Sequence, residues 1–217
     1  MNLTQLPLGL RRRQDQMPNL DLLPERLKTT LLHAIERAGA ASSDFDLNPE
    51  YTPPVERVLK PAAVLVAITE DGRLILTKRS ARLKHHAGQI AFAGGRMDDT
   101  DHDLVHTALR EAEEEIGLDQ TVPTILGHLP SHETVTNYSV TPIVALVPND
   151  LMFTAEPGEV SEVFTVPISH ILNLENYRIE GRRWRGQRRQ YYTVPYGPYY
   201  IWGATARMLR NLAKGVA

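Results

Sequence analysis

The most constraining feature of this sequence is a short segment in which three carboxylates share one face of a predicted helix. At about 100° per residue, Glu111, Glu114 and Glu115 fall within about 100° of one another. A separate apolar stripe lies beside them, formed by Val105, Ala108, Leu109, Ala112 and Ile116. Clustered carboxylates repel one another, and their hard oxygen atoms suit Mg²⁺ or Mn²⁺. The pattern predicts either a cation site or, more simply, a solvated acidic helix face.

The residues that flank this segment favour the cation site. Gly94 and Gly95 end an apolar run that is typical of a strand, so they can form a tight turn and leave a backbone carbonyl unhindered. Asp103 is a suitable helix N-cap, and Gly117 lies where a C-terminal glycine is expected. The sequence therefore predicts a strand, a Gly-Gly turn, an acidic loop and a capped helix in that order.

This order of elements resembles the Nudix box, a loop–helix–loop that binds a divalent metal and cleaves a diphosphate linked to another moiety. Residues 110–118 match the R-E-x-x-E-E-x-G-apolar part of the box fully, and Gly95 matches the family's glycine. Asp101 stands where the family has glutamate, and its gap to Arg110 is one residue longer than in the general pattern. Asp101 is for that reason not assigned as a metal ligand.

The resemblance implies a role for each matching residue. The Mg²⁺ or Mn²⁺ ligands it implies are Glu111, Glu114, Glu115 and the Gly95 carbonyl. Arg110 is expected to hold the carboxylates by ion pairing, and the catalytic set is Glu114, Glu111 and Arg110. The general base stays open: Glu114 is one candidate, and the others follow the box at Glu133, Glu159 and Glu162.

A second motif directly precedes the box. Residues 75–95 resemble the element LLTxRSxxxRxxxGxxxFPGG, which distinguishes coenzyme A diphosphatases within the Nudix superfamily. The matching residues are Leu76, Thr77, Arg79, Ser80, Gly88, Phe92, Gly94 and Gly95. The departures are Ile75, Lys84 and Ala93, where the family has Leu, Arg and Pro. Lysine keeps the charge of arginine but loses its planar fork.

This resemblance implies a small-molecule substrate of the coenzyme A type, cleaved to 3′,5′-ADP and 4′-phosphopantetheine. The substrate-binding residues it implies are Arg79, Ser80, Arg82, Lys84 and Gly88. Coenzyme A carries a 3′-phosphate besides its diphosphate, so cationic donors beyond the metal are needed. Two alternatives stay open. ADP-ribose or a nucleoside triphosphate would use the same metal helix without this loop, and a non-catalytic nucleotide-binding regulator would keep the fold but lose carboxylates.

Composition restricts the remaining functional classes. The chain has 217 residues, 42% of them hydrophobic and 23% charged, which is typical of a soluble globular domain. A net charge of −2 predicts no nucleic-acid partner, and the basic run 182–189 is interpreted as a solvated hairpin tip. The absence of cysteine excludes disulfides and thiolate zinc sites. No apolar run approaches the roughly 20 residues of a membrane span, so we expect a cytoplasmic protein. A homodimer is one option for its assembly.

The order of the predicted elements gives the domain organisation. Residues 1–58 are expected to form an arm and a helix over 22–38, and residues 59–214 the Nudix hydrolase domain. Strands are predicted near 62–68, 74–77, 90–93, 124–129, 141–147 and 160–166, followed by a short helix, a hairpin around 185–187 and a helix over 202–213. The fold class is therefore α/β: a Nudix fold with a mixed β-sheet core between helices and an N-terminal helical extension.

Overall fold

The computed structural model describes residues 24–51, 56–184 and 186–217; the predicted N-terminal arm lies outside the described residues. Helix α1 (Pro24–Glu36) confirms the helix predicted over 22–38. It buries Leu27, Leu31 and Ala34, which lie three or four residues apart and so share one face. That face packs mainly against α4 (Gly203–Val216), the last helix of the chain.

The other elements alternate strands with three helical segments. The strands are β1 (Ser42–Ser43), β2 (Lys60–Thr69), β3 (Arg73–Arg79), β4 (Ile90–Ala91), β5 (Ala93–Arg96), β6 (Thr124–His128), β7 (His132–Glu133), β8 (Tyr138–Val147), β9 (Val160–Pro167), β10 (Arg178–Trp184) and β11 (Gln187–Thr193). Helix α2 (Leu104–Ile116) follows β5, α3 (Ile168–Leu172) follows β9, and a 3₁₀ turn (Leu174–Asn176) precedes β10.

Strands β1 to β9 form one mixed sheet. Its main order is β1-β7-β8-β2-β3-β4, with β5 paired to β2, β6 to β8 and β9 to β3. The central pair is β2 and β8, which run parallel over ten residue pairs. Strands β10 and β11 form a separate antiparallel ribbon.

The central strand β2 is covered on both faces, as its uninterrupted apolar run predicted. Ala62, Val66 and Ile68 belong to the core on the side of α1, α3 and α4. Ala63, Leu65 and Ala67 face the other way and join the core beneath α2. The small residues on the α2 side let the helix lie close to the sheet, which places its carboxylates next to β5. These two cores confirm the predicted α/β class.

Two details differ from the sequence-based expectations. The predicted strand over 90–93 is divided, because residues 90–91 pair with β3 whereas residues 93–96 pair with β2. The chain thereby crosses from one strand to its neighbour just before the Gly-Gly turn. The predicted hairpin turn over 185–187 is also one residue shorter, since Gln187 already pairs with Trp184. Within the described residues, no helix is both long enough and apolar enough to span a bilayer.

Candidate active site

Helix α2 begins and ends at the residues that the sequence predicted. The Asp103 side chain accepts a hydrogen bond from the His106 amide at 2.8 Å, which caps the first turn. Gly117 adopts φ 69°, and its amide donates to the Glu113 carbonyl at 2.9 Å. This left-handed conformation favours glycine and cannot continue the helix, so the helix stops at Ile116. The capped helix fixes where its carboxylates meet the Gly-Gly turn.

Two of the predicted ligands meet at that turn. The Glu115 carboxylate is only 3% exposed and accepts a hydrogen bond from the Gly94 amide at 3.3 Å. The Glu111 carboxylate lies against Gly95, where an added Cβ atom would stand 2.6 Å from its oxygens. A Cβ atom at Gly94 would stand 2.4 Å from the Ala63 carbonyl oxygen. Both glycines are thus required for the close approach of helix, turn and β2.

Arg110 lies between the carboxylates and a buried acid. Its Nε and Nη2 atoms both donate to the Asp101 carboxylate at 2.9 Å. Its other contacts are to Glu111 at 3.0 Å and Glu114 at 3.1 Å. The bidentate pair fixes the guanidinium plane. Arg110 therefore makes the ion pairs predicted for it, and its main partner is Asp101.

Burial raises the pKa values of the two carboxylates at the turn, Glu111 and Glu115. Loss of solvent raises the pKa of Glu115 to about 7, although the nearby Arg79 guanidinium opposes the shift. Burial likewise raises the pKa of Glu111, against the opposing charge of Arg110. Repulsion from Glu111 adds to the pKa shift of Glu115, repulsion from Glu114 adds to that of Glu111, and the charge of Glu159 adds to both. Negative charge is therefore under-compensated at the turn, which favours a cation.

Glu159 reaches this region through a loop that is attached to the end of α2. The Thr154 amide donates to the Ile116 carbonyl and the Glu156 amide to the Glu115 carbonyl, both at 2.9 Å. The Ser80 amide then donates to the Glu159 carbonyl at 2.7 Å. Glu159 is exposed, and its charge acts on both buried carboxylates. The structure thus places this candidate base beside the predicted metal ligands.

The other two post-box candidates lie elsewhere. Glu133 is on β7 and forms an ion pair with Arg57. Glu162 accepts a hydrogen bond from the Tyr199 hydroxyl at 2.5 Å, next to the stacked rings of Phe164 and Tyr199. Phe164 belongs to the core on the α4 side of the sheet. Both carboxylates are therefore engaged with partners other than Arg110 and the Gly94–Gly95 turn.

The residues at the turn fit a divalent cation by their chemistry. Among the described residues, no three His, Asp or Glu side chains are already gathered as a set of ligands. One reason is that Arg110 pairs with both Glu111 and Glu114, and the Glu114 side chain is 60% exposed. The Glu111 and Glu115 carboxylates nevertheless both lie against the Gly94–Gly95 turn, close to its peptide groups. Carboxylate and carbonyl oxygens of this kind are suitable ligands for Mg²⁺ or Mn²⁺.

The predicted substrate-binding residues form one loop that closes on Arg79. The Arg79 amide donates to the Gln89 carbonyl at 2.9 Å, and the Gly88 amide donates back to the Arg79 carbonyl at 3.1 Å. Gly88 has φ 70°, a conformation that lets the chain turn back here. Arg79 Nη1 lies 3.7 Å from the Glu115 carboxylate. The base of the loop is therefore adjacent to the predicted metal face.

The other members of this loop differ in exposure. Ser80 is 4% exposed, and its hydroxyl accepts a weak hydrogen bond of 3.4 Å from the Arg82 amide. Arg82 and Lys84 are exposed, and their side chains form no ion pair with the described part of the chain. A direct contact between any of these residues and a substrate stays a prediction. Two cationic side chains are thus exposed on a loop whose base adjoins the site.

Sequence reasoning missed two contributors to the site. Asp101 was left without a role because it departs from the family pattern, yet it is the buried partner of Arg110. The loop over 154–159 has no periodic pattern that would attach it to α2. Asp101 stands nine positions before Arg110, a spacing that makes two residues neighbours on no regular element. The sequence therefore carries no local signal for either the Asp101–Arg110 pair or the attachment of this loop.

A mixed sheet between helices, with buried carboxylates beside a Gly-Gly turn, is typical of enzymes that act on phosphate anhydrides with a divalent cation. Comparisons with known proteins agree. The NUDIX domain model matches residues 58–185. The chain is 42% identical over 154 residues to a protein named uncharacterized Nudix hydrolase NudL from Escherichia coli O7:K1, which covers 70% of this chain and 80% of that relative. The protein of the same name from Shigella boydii serotype 18 gives the same values.

The crystal structure of a MutT protein from Methanosarcina mazei Go1 is 25% identical, has a TM-score of 0.44, and covers 55% of this chain and 84% of that one. On the sequence matches, the chain belongs to the Nudix hydrolase family. This family comprises enzymes that hydrolyse diphosphate bonds of nucleoside diphosphate derivatives, typically with Mg²⁺ or Mn²⁺.

Proposed function

We propose that this Nudix hydrolase cleaves the diphosphate bond of coenzyme A or one of its derivatives. Water adds across the P–O–P linkage, which gives 3′,5′-ADP and 4′-phosphopantetheine or its acylated form. The observation that supports the proposal is the loop closed by Arg79 and Gly88, which carries Arg82 and Lys84 and whose base at Arg79 adjoins Glu115. A ligand with a third phosphate needs cationic donors of this kind.

The distances along the chain support this assignment. Arg79 lies next to Glu115, and three residues span at most about 11 Å, so Arg82 is held within that reach of Arg79. Long arginine and lysine side chains extend this reach further. The 3′-phosphate of coenzyme A is separated from its diphosphate by one ribose, a distance that such side chains can cover. ADP-ribose, the main alternative substrate, lacks this phosphate.

Different residues of the chain would bind the cation, orient the carboxylates and accept the proton. A bound divalent cation would neutralise the diphosphate oxygens and lower the pKa of a water ligand. Glu111, Glu115 and the Gly95 carbonyl are the groups that would hold it. Glu114 would become a further ligand once its ion pair with Arg110 is broken. Arg110 orients the carboxylates through its pair with Asp101. We assign the general base to Glu159, whose exposed carboxylate can accept the proton of the attacking water.

The test compares coenzyme A with ADP-ribose as substrates of matched variants. Arg82→Gln and Lys84→Gln should each lower kcat/KM for coenzyme A by about 10- to 150-fold, the equivalent of a lost charge-assisted hydrogen bond of about 1.5–3 kcal/mol. Values for ADP-ribose should change little. Arg79→Gln should reduce both, because Arg79 contacts Glu115.

Arg26→Gln is the matched control, since this exposed cation lies on α1 and away from the site. Product identity, read by chromatography, shows which bond is broken. Equal losses on the two substrates in Arg82→Gln and Lys84→Gln would mean that the loop serves the diphosphate generally. The coenzyme A assignment would then fail, although diphosphate hydrolysis would stand.

A further inference from the structure

A surface cleft lies beside the first turn of α2, on the side of the sheet that carries the predicted metal ligands. Its volume is about 510 Å³, and small-molecule sites typically measure about 300–1,000 Å³. Most of its surface is apolar. The apolar lining includes Met97, Leu104, Val105 and Ile143, and the polar lining includes Ser131 and Thr141. Neither the metal ligands nor the cationic loop accounts for this cleft.

The cleft is aligned with the predicted metal ligands along α2. Leu104 precedes Glu111 by seven residues, which is about two helical turns, so both side chains leave the same side of the helix. Their separation along the helix axis is about 10.5 Å. Towards the other end of α2, Arg79 Nη1 lies 3.7 Å from the Glu115 carboxylate. The loop that begins at Arg79, the carboxylates and the cleft therefore follow one another in that order along α2.

The sheet beneath α2 also connects the Gly-Gly turn to the cleft. Met97 follows Gly95 by two residues, and two residues of extended chain span about 7 Å. Gly95 pairs with Ala63 of β2, and Ala63 pairs with Thr141 of β8. Thr141 is thus two strands away from the turn, about 10 Å at the usual spacing of neighbouring strands. The walls of the cleft are therefore within reach of a ligand whose diphosphate is held at Gly95.

The chemistry of the lining fits the second half of coenzyme A. Pantetheine is a flexible chain of methyl, methylene and amide groups, so it needs apolar surface with hydrogen-bonding groups at intervals. Val105 and Ile143 provide apolar surface, and the hydroxyl groups of Ser131 and Thr141 stand beside it. In coenzyme A the diphosphate lies between 3′-phosphorylated adenosine and pantetheine, which is the order of the three places along α2. The terminal ribose of ADP-ribose carries hydroxyl groups, which gain nothing from apolar surface.

We propose that this cleft binds the pantetheine arm of the substrate, and that Met97 and Val105 determine specificity for that arm. This role rests on the proposed function, because it takes a diphosphate bound at the Gly-Gly turn as its fixed point. Both side chains are half-buried, so a ligand in the cleft would remove their remaining apolar surface from water. The arm would then add binding free energy that a ligand without pantetheine lacks.

The test uses three substrates of the full chain that separate the two halves of the ligand. Coenzyme A has both the 3′-phosphate and pantetheine, dephospho-coenzyme A has pantetheine alone, and ADP-ribose has neither. Val105→Ala removes two methyl groups from the cleft, and each methyl group lost from a contact changes binding by roughly 4-fold. We therefore expect kcat/KM to fall by about 4- to 15-fold for coenzyme A and dephospho-coenzyme A alike, and to change little for ADP-ribose.

Met97→Ala is a second variant at the same cleft, and its losses should follow the same pattern. Val122→Ala is the matched control, because Val122 is a half-buried valine that packs on the same core beneath α2 but is not among the described residues that line the cleft. It should change none of the three values. Inhibition of ADP-ribose hydrolysis by 4′-phosphopantetheine gives a further reading. The inhibition constant should rise in both cleft variants and stay unchanged in Val122→Ala.

Three results would overturn this role of the cleft, and they differ from one another. If the wild type cleaves ADP-ribose but neither coenzyme A species, the proposed function fails and the cleft role fails with it. If the wild type cleaves coenzyme A but both cleft variants lose activity equally on all three substrates, the proposed function stands and the cleft role alone is overturned. A lower sedimentation coefficient of Val105→Ala without a substrate-selective loss would also overturn it, since the cleft would then be an interface between two copies of the chain.

Discussion

Replacing Asp101 by asparagine should expose how much of the site depends on one buried carboxylate. Its side chain is fully buried and accepts hydrogen bonds from Arg110, His106 and Thr107 and from the Asp98 amide. The Arg110, Thr107 and amide partners are donors. An asparagine amide would turn its own N–H groups toward donors and would leave the Arg110 guanidinium without a counter-charge. Removing one partner of a buried ion pair typically costs about 3–5 kcal/mol.

Asp103→Asn is the matched control, because it makes the same substitution two residues away. Asp103 caps α2 through its bond to the His106 amide, and asparagine is as good an N-cap as aspartate. We therefore expect a change of only a few tenths of a kcal/mol, on the order of the scatter between good caps. Urea unfolding of the two variants near neutral pH measures the difference. A cost for Asp101→Asn no larger than that for Asp103→Asn would refute the reasoning.

The ion pair between Asp101 and Arg110 also predicts how the stability of the fold depends on pH. The Arg110 guanidinium, above all, holds the pKa of Asp101 well below its usual range, helped by the Asp98 amide. A lowered pKa in the folded state means that the carboxylate stabilises the fold fully above the unfolded pKa of about 4. This contribution is lost as the pH falls from there toward the folded pKa. The gap in unfolding free energy between wild type and Asp101→Asn should accordingly narrow below about pH 4.

The remaining predictions concern the metal face and the turn. Glu115→Gln keeps the shape of the side chain but removes its charge, so metal-dependent turnover should fall by orders of magnitude while the thermal midpoint is kept; near-wild-type turnover would contradict the ligand assignment. Glu159→Gln should lower kcat far more than KM, and an unchanged kcat would remove Glu159 as the base. Ala93→Pro should change the unfolding free energy by less than about 1 kcal/mol, because Ala93 is the first residue of β5; a larger loss would show that its amide is needed.

The parts of this fold that the sequence predicted are those with local signals. Periodic apolar residues and two caps predicted α2, and a continuous apolar run predicted a strand covered on both faces. The division of residues 90–96 between two neighbours had no such signal, since β3 and β2 are chosen by tertiary pairing. The parallel pair of β1 and β7 is only two residues long, and its pattern could not be distinguished from a loop.

The sequence positions of the candidate bases were not enough to show which of them lies near the predicted metal ligands. Glu159 and Glu162 are only three residues apart, but Glu162 lies on β9, and the register with β3 shifts between Glu162 and Val160, the first residue of the strand. Val163 of β9 packs with the core beneath α2, so Glu162 on the other face meets Tyr199. Glu159 precedes the strand, in the loop that is attached to α2. A register shift of one residue in β9 would have turned Glu162 toward α2, so the pairing of β9 with β3 decides which carboxylate can serve the site.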